Sequence, residues 1–148
     1  MTIETQHIID RIFIVMNTML FIEKRFTFTF RNVRLFPKEV HVILLVYEEE
    51  HINAKTMAEI FGITKGAISQ TLKRLENKGM LHRDKNSEQP KELLITLTPL
   101  GLEAARYFSD FKEAIANKYR AYLAKLSHHE RETIGVFLQE MNVILKGG

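Results

Sequence analysis

Three residues, Ala58, Gly62 and Ile68, constrain this chain more than any other feature. They sit four and then six positions apart. A helix that ends at Gly62 and a second that starts at Thr64 leave almost no connector, so the two must cross in contact. A small residue is needed where they touch. Glycine is needed where the turn adopts positive φ, and an apolar residue where the second helix packs back. Asn53 is a suitable N-cap for the first helix and Gly62 a suitable stop. Thr64 caps the second, and Gly79 ends it. At about 100° per residue, Ile68, Leu72 and Leu75 fall within about 60° of one another and form a stripe bound for the core.

The segment after the second helix narrows the fold further. "MLHRDK" and "ELLITLT" are short stretches rich in branched and apolar residues. "NSEQP" between them holds turn formers and a helix breaker, so the pair reads as a β-hairpin with a polar tip. A helix-turn-helix with a hairpin directly behind it is a winged helix.

Around this unit the chain is helical. "TQHIIDRIFIVMNTMLFIEKRF" is apolar at Ile8, Ile9, Ile12, Met16, Met19 and Leu20, a helical spacing with a face wider than one stripe needs. "PKEVHVILLVYEE" reads as a mostly buried helix opened by Pro37. Thr98 and Pro99 open a long helix with apolar residues at Phe108, Phe111, Ile115, Tyr119, Tyr122 and Leu126. "SHHE", from Ser127 to Glu130, fits a capping box and starts a last helix. "FTFTFRNVRLFP" stands apart: its strict Phe/Thr alternation has the period of a strand, and it has no place in the expected order of helix, helix, short helix, helix, hairpin, helix, helix. The expected divisions are an N-terminal helix and connection over 1–36, a winged-helix lobe over 37–99 and C-terminal helices over 100–148. The expected class is mainly α with a small β-hairpin.

Residues 8–22 and 108–145 carry more apolar side chains than a winged helix of about 65 residues can cover, so the surplus is expected to be buried against a second copy. The 148 residues are enough for a sizeable core without disulfides or metal. There is no cysteine, which excludes disulfides and thiolate redox chemistry and points to a reducing cytoplasm. The start "MTIETQH" lacks a basic region ahead of an apolar one, so no export signal is read. The longest apolar run, "VILLVY", falls far short of the roughly 18 residues of a membrane span.

The charge is unevenly placed. From Lys65 to Lys91 there are seven cations, Lys65, Lys73, Arg74, Lys78, Arg83, Lys85 and Lys91, against the anions Glu76, Asp84 and Glu88. The local excess is +4, whereas the whole chain carries +3. A cationic helix face is often plain solvated surface. Here it coincides with the turn glycine and the hairpin, and a phosphate backbone is the partner that rewards such a field, through counterion release. Ser69 and Gln70 are suited to base edges, and Lys65, Lys73 or Arg74 to guanine or phosphate. Gly66 allows close approach, while Lys85 and Lys91 flank the hairpin tip. The candidate contacts with double-stranded DNA are therefore Thr64, Lys65, Gly66, Ser69, Gln70, Lys73, Arg74, Arg83, Lys85 and Lys91.

Other chemistry has little to stand on. No nucleophile lies beside a histidine with an orienting acid, and "FGITKG" has neither a preceding strand nor Walker spacing. His128 and His129 point about 100° apart on a helix and make a poor metal pair. His41 is expected in the core or at an interface. Neither a cofactor nor a metal is expected.

The span "LLVYEEEHINAKTMAEIFGITKGAISQTLKRLENKGMLHRDKNSEQPKELLITLTPLG" resembles the MarR family of transcriptional regulators, most specifically in "LKRLENKGMLHR" and in "LTPLG", which is similar to the family's LTxxG junction. The resemblance implies a homodimer formed by the first and last helices. It implies binding to pseudo-palindromic operators, usually in repression, and in many members a small-molecule pocket between the dimerisation helices and the DNA-binding lobe. The alternative is a winged-helix module that binds protein instead of DNA. One departure stands out. Where the family's wing usually has Asp-x-Arg, this chain has Gln89, Pro90 and Lys91. Lysine lacks the planar fork of arginine, so the wing is expected to grip phosphate more than it reads sequence.

Overall fold

The structure, a computed structural model, describes residues 3–85, 88 and 92–147. Among them six helices and two hairpins are arranged in the order α1 (Ile3–Arg25), β1 (Phe28–Phe30), β2 (Val33–Leu35), α2 (Pro37–Glu48), α3 (Ala54–Phe61), α4 (Lys65–Asn77), β3 (Leu81–Lys85), β4 (Leu93–Leu97), α5 (Pro99–Leu123) and α6 (His128–Leu145).

The first hairpin is the element missing from the expected order. β1 and β2 pair antiparallel, with Phe28 opposite Leu35 and Phe30 opposite Val33. Only Arg31 and Asn32 connect them, both at positive φ, 43° and 66°. That is the geometry of a tight primed turn, which matches the twist of the flanking strands. The usual Asn-Gly or Asp-Gly signature is absent, and asparagine alone tolerates this backbone well. The turn is held from outside by an ion pair between Arg31 and Glu103 of α5, 2.9 Å. The Phe/Thr alternation then has a plain cause. Phe28 and Phe30 point one way, onto Phe108 of α5, with ring centroids 5.3 and 6.2 Å apart, while Thr29 points to solvent.

The expected helix boundaries hold. Asn53 accepts from the Thr56 amide at 2.8 Å, and Thr64 from the Ala67 amide at 3.1 Å. Gly62 is left-handed at φ 63°. Ile63 donates to the Ala58 carbonyl and Gly62 to that of Glu59, which closes α3 as a Schellman motif. Gly79, φ 72°, closes α4 the same way, with Met80 donating to the Leu75 carbonyl. The Ser127–Glu130 capping box is reciprocal, at 2.7 and 3.2 Å.

One core runs through the winged-helix lobe. Ile68, Leu72 and Leu75 of α4 are buried in it, joined by Thr71. They pack with Leu35, Val42 and Ile43, with Met57 and Ala58 of α3, with Met80, Leu81 and Ile95 of the wing, and with Ala104, Ala105 and Phe108 of α5. The Thr98-Pro99 junction is tightly bonded. The Thr98 hydroxyl donates to the Gly79 carbonyl at 2.6 Å and accepts from the Gly101 amide at 2.9 Å. The Thr98 amide reaches the Met80 carbonyl at 3.1 Å. A Cβ on Gly101 would lie 1.8 Å from that same Met80 carbonyl oxygen. The threonine and the glycine of "LTPLG" thus seat the start of α5 against the turn that ends α4.

Beyond Phe108 no residue of α5 is buried, and neither α1 nor α6 buries a single described residue. These helices leave Phe13, Met19, Phe21, Tyr119, Tyr122 and Ile144 more than half exposed.

Candidate nucleic-acid interface

The helix wheel of α4 resolves into three sectors. The core stripe faces inward. Diametrically opposite lie Gly66, Ser69, Gln70, Lys73 and Asn77, all exposed. Lys65 lies at the helix N-terminus, also exposed. A Cβ on Gly66 meets nothing nearer than the Thr64 hydroxyl at 3.9 Å, so the fold itself does not demand glycine there. Its effect is to keep the first turn of the face low. Lys65, Ser69, Gln70 and Lys73 enter no side-chain hydrogen bond or ion pair within the described residues. The Thr64 hydroxyl, by contrast, is engaged as the cap.

The two flanks of α4 are tied down. On one side Glu76 accepts from Arg83 of β3, at 2.7 Å from Nη2 and 3.2 Å from Nε. Those hydrogen bonds hold the Glu76 carboxyl below the ordinary glutamate range. On the other side Arg74 and Lys78 meet Glu39 of α2, which is fully buried. Lys78 Nζ lies 2.7 Å from Glu39 Oε2, and Arg74 Nε lies 3.5 Å from Oε1.

The ten expected contact residues therefore divide. Lys65, Gly66, Ser69, Gln70, Lys73 and Lys85 are exposed, with Lys85 at the end of the first wing strand. Thr64 positions the helix. Arg74 is half exposed and shared with Glu39, and Arg83 is turned onto Glu76 with a side chain only 21% exposed. Lys91, together with Gln89 and Pro90, lies outside the described residues. Glu39 offsets the charge of Arg74 and Lys78 on that flank.

A family model described as the MarR family matches residues 35–92. The matched segment runs from the end of β2 to the residue before β4. SarZ of Staphylococcus haemolyticus, an HTH-type transcriptional regulator, is 32% identical over 79 residues, 53% of this chain and 54% of that protein. The chain spans about half the length of the first curated relatives it matches. Among solved structures, adhesin competence repressor (AdcR) from Streptococcus pyogenes is 22% identical, with a TM-score of 0.79 over 99% of this chain and 100% of that one. Streptococcus pneumoniae FabT, solved in complex with DNA, is 21% identical, with a TM-score of 0.74 over 96% and 97%. The fold is common to all three. The match to the MarR family domain stops short of β4 and α5, so the Gly101 seat lies beyond it.

An apolar cavity of about 710 Å³ opens where α1, α2 and α5 meet. Met19, Ile22, Leu44, Phe108 and Phe111 line it, and Glu48 and Lys112, paired at 2.8 Å, stand in its wall. His41 also borders it. It is exposed in the single chain rather than buried in the core, and its ring stacks on Phe61 with centroids 6.5 Å apart. Among the described residues no group of three or more histidine or acidic side chains is placed to hold a metal. No helix among them is long and apolar enough to cross a membrane.

Sequence reasoning passed over Glu39. The local part of the signal was present, an acid three residues after the N-cap Phe36, but its two cations reach it only through packing.

Proposed function

We propose that this chain is a sequence-specific DNA-binding transcriptional regulator, a repressor that acts as a homodimer on a pseudo-palindromic operator. The observation that carries the reading is the free sector of α4. Lys65, Gly66, Ser69, Gln70 and Lys73 face solvent together while every cation and acid on the flanks is engaged within the protein. A surface of small, amide, hydroxyl and cationic groups on one exposed helix face fits the major groove. Lys85 at the wing adds phosphate contact. The SarZ match and the DNA complex of FabT support the same reading.

Homodimerisation is the reading that the terminal helices support. Exposed rows of Ile, Phe, Leu and Tyr on α1, α5 and α6 are far larger than a monomer's surface tolerates. A two-fold pair would present two α4 helices about one DNA turn, roughly 34 Å, apart. The cavity between α1, α2 and α5 is the site for an apolar effector. Its walls come from both the terminal helices and the lobe, so an occupant can bind the two arrangements of these parts with different affinity and thereby shift the lobes relative to the grooves.

The test is DNA affinity against salt, on duplexes selected from a random pool by the protein itself. A log–log slope of several units, about 0.9 per phosphate contact, is expected. Absence of binding at low salt would turn the reading toward a winged helix that docks on protein.

A further inference from the structure

We infer that the buried carboxylate of Glu39 is a positioning residue for DNA recognition: it holds Arg74 of α4 and the C-cap Lys78 against the start of α2 and so fixes the angle at which α4 presents its free face. The inference rests on the proposed DNA-binding reading. Glu39 touches no nucleic acid in that reading and acts only through α4.

The geometry is unusual for an ion pair on a small lobe. Glu39 has no exposed surface at all. Its Oε2 accepts from the Phe36 amide at 2.9 Å, which caps α2, and from Lys78 Nζ at 2.7 Å. Lys78 in turn donates to the Arg34 carbonyl of β2 at 2.7 Å and lies 5.1 Å from the Phe36 ring centre. One ammonium therefore binds three elements together: α4, the end of the first hairpin and the first turn of α2. The second oxygen, Oε1, is buried without a hydrogen bond and has only the ionic contact with Arg74 Nε at 3.5 Å. Arg74 is further braced by its own Nη2 donating to Thr71 at 3.0 Å.

A buried carboxylate cannot be left without cations, because an unpaired charge away from water is strongly unfavourable. It therefore dictates where α4 must sit, within hydrogen-bond tolerance, along the flank that faces α2. Leucine and isoleucine contacts resist separation of two helices but tolerate a roll of one against the other. The Glu39 cluster removes that roll, and the Glu76–Arg83 pair on the opposite flank opposes it from the wing side. Base reading by Ser69 and Gln70 depends on the angle of α4 in the groove. Phosphate contact by long lysine side chains does not.

That difference supplies the test. Glu39→Gln keeps the shape and the acceptor for the Phe36 amide while removing the charge. Binding of the full chain is measured on a duplex selected by the unmodified protein and on a random-sequence duplex of equal length, well below the thermal midpoint of either protein. The expected result is about a tenfold loss on the selected duplex, the scale of one well-placed base contact, with unchanged or tighter binding to the random one. An unchanged ratio of the two affinities, whether both rise, fall or stay, overturns the inference. Should Glu39→Gln fail to fold, the pair Glu39→Gln with Lys78→Gln, neutral on both sides, takes its place under the same readout. If the unmodified protein binds neither duplex, the DNA reading falls and this inference falls with it. If it discriminates and the variant discriminates equally, only this inference falls.

Discussion

At the scale of single residues, three glycines carry separate loads. Gly62 and Gly79 close helices at positive φ, a conformation that costs another residue about 1–2 kcal/mol. Gly101 has ordinary helical φ and is needed for space alone. Gly101→Ala is expected to destabilise the lobe by about 3 kcal/mol, because the new methyl group meets a backbone carbonyl that is itself bonded to Thr98. Urea unfolding checks it; a change below about 1 kcal/mol would mean that the junction yields more easily than its geometry implies. The residues legible in the sequence were those whose role is local. Asn53, Thr64, Thr98 and Ser127 all cap as expected, since a cap is decided within four residues. Glu39 was not legible in the same way. Its partners lie 35 and 39 positions further along the chain, and only the packing of α4 on α2 brings them to it.

At the scale of elements, α4 separates chemistry by sector, and its contacts should separate by assay. Lys73→Ala is expected to weaken binding to all duplexes alike and lower the salt slope by about 0.9. Gln70→Ala is expected to weaken the selected duplex by about 1–3 kcal/mol and the random one little. Competition titrations at two salt concentrations distinguish them, and a reversed pattern would exchange the two roles. The wing flank has a pH signature. Arg83 holds the Glu76 carboxyl below its unfolded value. The pair therefore adds stability at neutral pH, and that increment is lost as pH falls through the lowered carboxyl range. Thermal midpoints of the unmodified protein and Glu76→Gln should differ at pH 7 and converge in acid; a constant difference would count against the pair. The β1–β2 hairpin is the element that sequence periodicity suggested and turn chemistry hid. Phe/Thr alternation marked the strands, but Arg31-Asn32 is a poor turn signature, and what seats the hairpin is Phe108, some 80 residues away.

At the scale of the whole molecule, the lobe and the terminal helices obey different rules. The lobe buries its apolar stripe within the chain, so its core could be read from helix periodicity. The terminal helices have the same periodicity, and among the described residues little covers it. Surplus alone could signal a partner but not its identity. In the proposed dimer, Phe137→Asp combined with Ile144→Asp on α6 should abolish association while leaving the lobe folded. Sedimentation at micromolar concentration would then report single chains for the variant and pairs for the unmodified protein. Single chains in both would remove the case for paired operator half-sites.

The seating of α5 has a mechanical consequence. Its first turns are seated against the Met80 carbonyl, and from Phe108 to Leu123 it extends for about 22 Å with no residue beyond Phe108 buried and one ion pair, Lys112 with Glu48, back to α2. Such a rod is a lever with its fulcrum inside the lobe. A swing of about 10° there sweeps the far end through roughly 4 Å of arc, so small strains at the joint become large offsets between whatever the two ends carry.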